Sequence, residues 1–482
     1  MPMLERGRRS AVLISFAITL ALTCALGAHS PLRAEETALD RYVAKPDPTY
    51  AWSIVKTVSG NDGSTQYIVD LKSQTWRTEQ DINRPVWQHW LTIVKPAKTT
   101  SKIAFLTIGG GGNDGPPPQG ADPTTVKMAE LTNSVVAELK MVPNQPLILH
   151  QDGVPRKEDD FIAYTWDQFI KTGDETWPAR LPMVKSAVRA MDCVQELCAG
   201  NFEGGKVAVE KFVVSGGSKR GWTTWCTAAV DKRVVAAIPI VIDVINVPAC
   251  SRHHIAAYGF YAEAIGDYVR HNLKGRIDDP RTKLLYAIED PYSYRERLTM
   301  PKFVVNAAGD QYFPPDSSQF YYGELPGEKS LRYVANADHS LRDSDARESI
   351  IAFYQLVVAG KPRPKYSWTF ESDDSIRVKT AEKPKAVTLW QANNPKARDF
   401  RVKTIGKAYQ SLALDDQGGG VFVGKIAPPK DGWTAFFVEL TFDVAQAFPL
   451  KMSTAVRILP DTLPFADLDP AQAPLEPRPA GK

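Results

Sequence analysis

The sequence predicts an α/β protein whose mainly parallel sheet is covered by helices on both faces, followed by a separate all-β module. Three observations carry this. Between about residues 100 and 365, short β-branched apolar runs alternate with amphipathic stretches, the pattern of parallel strands joined by helical crossovers. From about residue 366 that rhythm stops, and strand-like segments at short intervals between turn residues follow, as in a small sandwich. At 482 residues the chain is also longer than one ordinary core requires.

The N-terminus is a separate segment. Arg6, Arg8 and Arg9 precede the apolar run AVLISFAITLALTCALGA, and the turn-like HSPLRA follows. Basic, apolar and small residues in that order describe a secretory signal peptide over residues 1–34, cleaved between Ala28 and Ala34. An uncleaved anchor helix is the alternative, since the run is just long enough to span a bilayer. A lipoprotein anchor on Cys24 fits less well, because ALTC lacks the usual small residue before the cysteine. No later segment has the character of a membrane span, so the mature protein is expected to be periplasmic or secreted by a bacterium. Without Cys24, the chain keeps Cys193, Cys198, Cys226 and Cys250, an even number for an oxidising compartment. The local pairs Cys193–Cys198 and Cys226–Cys250 are the favoured disulfides, with four small buried thiols as the alternative.

Along the chain, YAWSIVKTV, TQYIVDLKSQTW and PVWQHWLTIVKP read as strands, and SKIAFLTI is another that ends in four glycines, Gly109–Gly112. The stretch TVKMAELTNSVVAELK is helical in spacing, and QPLILHQDG returns to a strand. An acidic, aromatic stretch over 151–181 interrupts the rhythm and reads as a lid or pocket wall. A helix over 182–198, with Pro182 near its start, leads into the strand KFVVSGGS. Then come a helix, the strand VVAAIPIVID, a helical stretch from Ser251, the strand PKFVVNAAGD, a helix, the strand SLRYVANADH and a closing helix. These boundaries give an α/β domain at 37–365, a β-sandwich of immunoglobulin-like type at 366–465 and a disordered Pro- and Ala-rich tail at 466–482.

Ligands of open α/β sheets gather beyond the carboxyl ends of the strands. Three such ends carry Ser218, Asp310 and His339. Their chain order, nucleophile then acid then histidine, is that of α/β-hydrolases. Of the seven histidines, only His339 follows Asp310. A serine hydroxyl needs a base to remove its proton, and neutral imidazole can do so near neutral pH. A carboxylate fixes the imidazole tautomer and stabilises the imidazolium. The backbone N–H of Lys219 and the glycine loop around Gly110 and Gly111 are the candidate oxyanion donors. Asp243, which ends IPIVID, is the rival acid. His253 and His254 read as a cap or pocket wall, and Trp222 and Trp225 as core. Lys219 or Arg220 is placed to favour an anionic substrate group, with a structural ion pair as the alternative for Arg220.

The strings VVSGGSKRGWTTW, EDDFIAYTWDQFIKTGDETWPARLPM, SQTW, RDFR and GWTAFFVEL resemble the PhoPQ-activated pathogenicity-related (PqaA-like) family of α/β-hydrolases, from about Tyr42 to Phe465. The resemblance implies an exported serine-hydrolase-like protein with a trailing β domain, associated in bacteria with resistance to antimicrobial peptides. The family's serine falls on Ser218, and its acid and histidine on Asp310 and His339. The small residue, Gly221, lies three positions after the serine rather than two, which is similar to the elbow of glucuronoyl esterases.

The expected activity is therefore hydrolysis of an ester or amide in a small-molecule or peptide substrate. The alternatives are a secreted binding protein on a hydrolase scaffold and a peptidase trimming cationic antimicrobial peptides. No cofactor is expected, and no Cys-x2-Cys or His-Glu-x-x-His spacing offers a metal site. A net charge of +3 without basic runs argues against nucleic acid as a partner. The sequence names no protein partner for the β domain.

Overall fold

The computed structural model describes residues 36–477. The signal-peptide reading, Cys24 and residues 478–482 lie outside them. The main sheet has nine strands. The first five are β1 (Ala51–Ser59), β2 (Thr65–Thr75), β3 (Val86–Lys95), β4 (Ile103–Ile108) and β5 (Val136–Leu139). A two-stranded ribbon of β6 (Leu147–Ile148) and β7 (Pro155–Arg156) intervenes. The remaining strands are β8 (Lys211–Gly217), β9 (Val234–Ile240), β10 (Lys302–Ala307) and β11 (Lys329–Val334).

Their order across the sheet is β1-β2-β3-β5-β4-β8-β9-β10-β11. From β5 to β11 all neighbours are parallel, whereas β1, β2 and β3 pair antiparallel. This is the α/β-hydrolase arrangement with one more antiparallel strand at an edge. Strand β8 lies at its centre, hydrogen-bonded to β4 and β9. Successive residues point to opposite faces, so Val214 joins the cluster containing Trp222 and Trp225, and Val213 the cluster containing Phe303 and Phe353. Both faces are covered, which is why KFVV and KFVVNA read as unbroken apolar runs.

Eight more strands follow: β12 (Tyr366–Phe370), β13 (Ile376–Thr380), β14 (Ala386–Asn394), β15 (Gln410–Ala413), β16 (Val421–Gly424), β17 (Trp433–Phe442), β18 (Leu450–Ser453) and β19 (Arg457–Leu459). They form two antiparallel sheets, β12-β13-β16 and β15-β14-β17-β18 with β19 also on β17. Their apolar faces are not sealed off from the α/β part. Phe436, Val438 and Leu440 of β17 share a cluster with Val213, Phe303 and Phe353, while Ala435 and Phe437 turn into the cluster beneath the other face of the main sheet. The Ser453 hydroxyl accepts from the Tyr333 N–H of β11 at 2.8 Å. Contacts from Thr37 onward accordingly form one compact unit.

Two expectations are corrected. Cys193, Cys198, Cys226 and Cys250 are free and buried, so neither favoured disulfide exists. Cys193 and Cys198 share the helix Arg180–Ala199, where residues five apart point to different sides, and burial pushes each of the four thiols up in pKa. They behave as small apolar side chains. The tail, read as disordered from residue 466, is placed as far as 477. Glu476 binds Arg401 and Lys403 at 2.9 and 2.7 Å, and Leu475 bridges to Tyr261, contacts that composition alone does not reveal.

Candidate active site

Ser218 sits between β8 and the helix Lys219–Val230 with φ 58° and ψ −127°. That conformation is strained for a residue with a Cβ, and the neighbouring glycines make it feasible. A Cβ on Gly216 would lie 2.7 Å from the Arg220 carbonyl oxygen, and one on Gly221 would lie 2.8 Å from the Ile240 oxygen. The helix therefore crosses the strand end in near backbone contact. The small residue three positions after the serine is the one this crossing needs. The Ser218 N–H donates to Ile240 at 2.8 Å, and the first helical N–H groups beyond it lack intrahelical acceptors.

Strands β10 and β11 are parallel neighbours, with Ala307 opposite Val334, so the loops that follow them leave the sheet side by side. Asp310 and His339 meet there, with Nδ1 2.8 Å from Oδ2. The second Asp310 oxygen accepts from the Tyr312 N–H at 2.7 Å. His339 Nε2 is buried without a hydrogen-bond partner among the described residues. Its ring lies against Tyr312, centroids 4.3 Å apart. Tyr312 in turn lines, together with Ser218, a cavity of about 60 Å³ walled by Trp166, Trp222, Ile242 and Phe313.

Asp243 is engaged elsewhere. Its two carboxylate oxygens accept from the hydroxyls of Tyr321 at 2.7 Å and Tyr333 at 2.6 Å. Burial pushes its pKa up to about 7, against the lowering effect of those two donors.

The loop carrying Asp310 is held by residues of the C-terminal β part. The Gly309 N–H donates to the Ala337 carbonyl and its own carbonyl accepts from the Val402 N–H, each at 3.0 Å. Arg398 pairs with Asp316 at 2.7 Å, and His253 binds the other Asp316 oxygen at 2.8 Å. Burial would raise the Asp316 carboxyl, but His253 and Arg398 overcome it and hold the group well below the usual range. The RDFR string thus acts as a clamp on the loop carrying Asp310.

The basic pair after the serine is neutralised. Arg220 meets both oxygens of Glu158 at 2.7 and 2.9 Å and donates from Nε to the Val142 carbonyl at 2.5 Å. Lys219 reaches Glu158 at 2.8 Å and Asp159 at 3.3 Å. Burial favours the neutral Glu158, yet the two cations prevail and keep it strongly acidic. The anion-binding reading of the Arg220 side chain gives way to the ion pair, because a matched carboxylate already occupies the guanidinium.

Arg220 also packs on the glycine loop, where a Cβ on Gly110 would lie 2.7 Å from Nη2. Gly111, at φ 131°, adopts a conformation that disfavours any other residue. Because Ile108 of β4 pairs with Gly216 of β8, this loop and the serine turn emerge together.

The stretch over 151–181 is built in as a wall rather than laid over the site. The helix Glu158–Thr172 buries Phe161, Ile162 and Phe169 in the main core and presents Asp159 and Trp166 to the cavity. Trp225 is core, while Trp222 reaches the cavity. His254 lines a smaller adjoining cavity of about 30 Å³. Lys274 and Tyr312 were not legible as site residues, since each reaches the site only through tertiary packing. Glu158 and Arg180 fall inside the 151–181 stretch read as a lid or pocket wall, where Arg180 does line the cavity, but no role for either was legible.

No group of three or more His, Cys, Asp or Glu placed to hold a metal occurs among the described residues. No helix among them is long and apolar enough to cross a membrane.

Residues 39–401 match the sequence pattern of the PhoPQ-activated pathogenicity-related protein family. The chain belongs to that family. A relative, the autocrine proliferation repressor protein A of Dictyostelium discoideum, is 38% identical over 458 residues, 89% of this chain and 92% of its own. Among solved structures, an acetyl xylan esterase from Paenibacillus sp. R4 superimposes with TM-score 0.46 at 15% identity, over 67% of this chain and 96% of its own. A glucuronoyl esterase from Solibacter usitatus gives 0.36 at 13% identity, over 63% and 86%. Likenesses of that size say nothing about substrate; the assignment of the fold rests on strand order and direction.

Proposed function

We propose that this protein is a serine hydrolase acting on an ester or amide. The observation that carries the reading is His339, hydrogen-bonded to Asp310 through Nδ1 while its buried Nε2 has no partner, and packed on the Tyr312 that lines the Ser218 cavity. In this reading Nε2 accepts the Ser218 proton as Oγ attacks the substrate carbonyl. Asp310 holds the tautomer and stabilises the imidazolium. The N–H groups of Lys219 and of the Gly110–Gly111 loop receive the oxyanion. Collapse expels the alcohol or amine, which takes the proton from His339; water then enters and releases the acid by the reverse roles.

Labelling with a fluorophosphonate probe tests this directly. Wild type should label and turn over activated esters, and Ser218→Ala should do neither. Equal labelling of the two would end the enzyme reading. The second reading, a secreted signalling protein on the same scaffold, is favoured by the name of the Dictyostelium relative, a proliferation repressor, and predicts no specific labelling of wild type. A peptidase for cationic peptides fits less well, because Glu158 and Asp159 are already matched by Lys219 and Arg220. The basic and apolar N-terminal segment supports export, which N-terminal sequencing of the mature protein would test.

A further inference from the structure

Four charged side chains line the Ser218 cavity: Asp159, Arg180, Lys219 and Lys274. Lys219 is matched by Glu158 and Asp159, and Asp159 also accepts from the Tyr268 hydroxyl at 3.1 Å. Arg180 is fully buried over the Trp222 ring, 3.5 Å from Glu289, and donates from Nη1 to the Lys219 carbonyl and to Thr223. Its Nη2 has no hydrogen-bond partner among the described residues. Lys274 differs from the other cations. Its ammonium donates to the neutral Ser251 hydroxyl at 2.8 Å, and no carboxylate of the described residues stands within ion-pair distance of it.

Lys274 also lies where the Ser218 cavity meets the adjoining one, since Val244, Ile265, Tyr312 and Phe313 line both as well. A partly buried cation with one neutral hydrogen-bond partner is an expensive arrangement unless an anion completes it. Burial draws its pKa down to about 8, which still leaves it mainly charged at neutral pH. A space of about 60 Å³ holds a few waters, and so only a short chain.

We propose that Lys274, helped by the spare N–H of Arg180, is the carboxylate-binding subsite of the Ser218 cavity, and that the substrates are short esters or amides carrying a carboxylate close to the scissile bond. This rests on the hydrolase reading for its catalytic meaning, but the subsite itself does not. The ammonium and guanidinium hold the anion while Trp166, Trp222 and Ile242 enclose the short chain.

Calorimetry with malonate, succinate and glutarate on the full mature protein tests the subsite independently of catalysis. At least one of the three should bind wild type, and Lys274→Met and Lys274→Gln should each weaken that binding at least tenfold. Thermal midpoints of both variants establish that they are folded. Unchanged affinity in the folded variants, or no binding of any of the three to wild type, overturns the subsite. A kinetic arm compares monomethyl succinate with methyl butyrate. Preference for the half-ester in wild type, lost in Lys274→Met, supports the substrate class, and preference for the neutral ester overturns it. Failure to hydrolyse either ester, with dicarboxylate binding intact, counts against the hydrolase reading alone.

Discussion

Asp310 and Asp243 both end strands near the candidate site, and their hydrogen bonds separate them. A carboxylate bound to His339 Nδ1 sets which nitrogen can act as base; one shared by two tyrosine hydroxyls cannot. Asp310→Asn should therefore lower turnover by about 10⁴-fold, because the amide can present the wrong partner to the imidazole. Asp243→Asn keeps one acceptor for the tyrosines and should alter thermal stability far more than turnover. Steady-state rates on an activated ester, with the thermal midpoints of both variants, check this, and the reverse ranking would assign the acid to Asp243. At the same scale, Glu158→Gln leaves Lys219 and Arg220 without a full counter-charge beside the serine. Because the Glu158 side chain is partly exposed and Lys219 keeps Asp159, we expect a destabilisation of about 1 kcal/mol, measurable in urea.

Elements impose a different constraint. The serine turn works only because β8 and the following helix touch through Gly216 and Gly221. Gly216→Ala should cost about 1–3 kcal/mol or more, because the new methyl meets backbone atoms of Arg220 that cannot swing away. Fluorophosphonate labelling should fall with it as the elbow shifts; full labelling at unchanged stability would refute the crossing argument. Strand β3 carries a pH-sensitive group away from the site. His89 is fully buried, its Nδ1 3.1 Å from the Lys140 carbonyl and its Nε2 2.9 Å from the Ser73 hydroxyl, and burial draws its pKa down to about 4. The folded state thus resists a proton that the unfolded chain accepts near pH 6.5. Stability is complete above that value and declines as pH falls towards 4, by on the order of 3 kcal/mol. Urea midpoints between pH 7 and 4.5 should show this decline, and His89→Gln should flatten it.

For the whole molecule, the C-terminal strands complete both the core and the site. Truncation at residue 365 would remove the partners of Val213, Phe303 and Phe353 on one face and of Tyr333 on the other. It should give aggregated protein rather than a smaller hydrolase, as size-exclusion chromatography would reveal. A finer test is Arg398→Ala, which leaves Asp316 with His253 and the Gln319 amide but without its guanidinium in a buried site. We expect a loss of about 3–5 kcal/mol and reduced turnover, because the same loop carries Asp310.

Much of this fold was legible in linear order. Unbroken apolar runs such as KFVV marked strands buried on both faces, and the change of texture near residue 366 marked where antiparallel strands begin. The close approach that a Cβ would forbid at Gly216 and Gly221 is visible only in the structure, but Gly221, three positions after Ser218, marked the elbow. Each is a local property, set by side-chain volume, backbone freedom or periodicity over a few residues. What the chain order could not display is pairing across distance. Whether Cys193 and Cys198 bond, whether Arg220 meets a substrate or Glu158, which carboxylate reaches His339, and that Lys274 opens onto the serine all depend on segments tens of residues apart being brought together by a shared core. The sequence by itself determined most of the strands, though not β5, whose Val136–Leu139 read as part of a helix, together with their order of chemistry and the turn that bends Ser218. Only the tertiary structure decided which charges are already satisfied, because the low dielectric that makes a buried charge seek a partner exists only once the chain has packed.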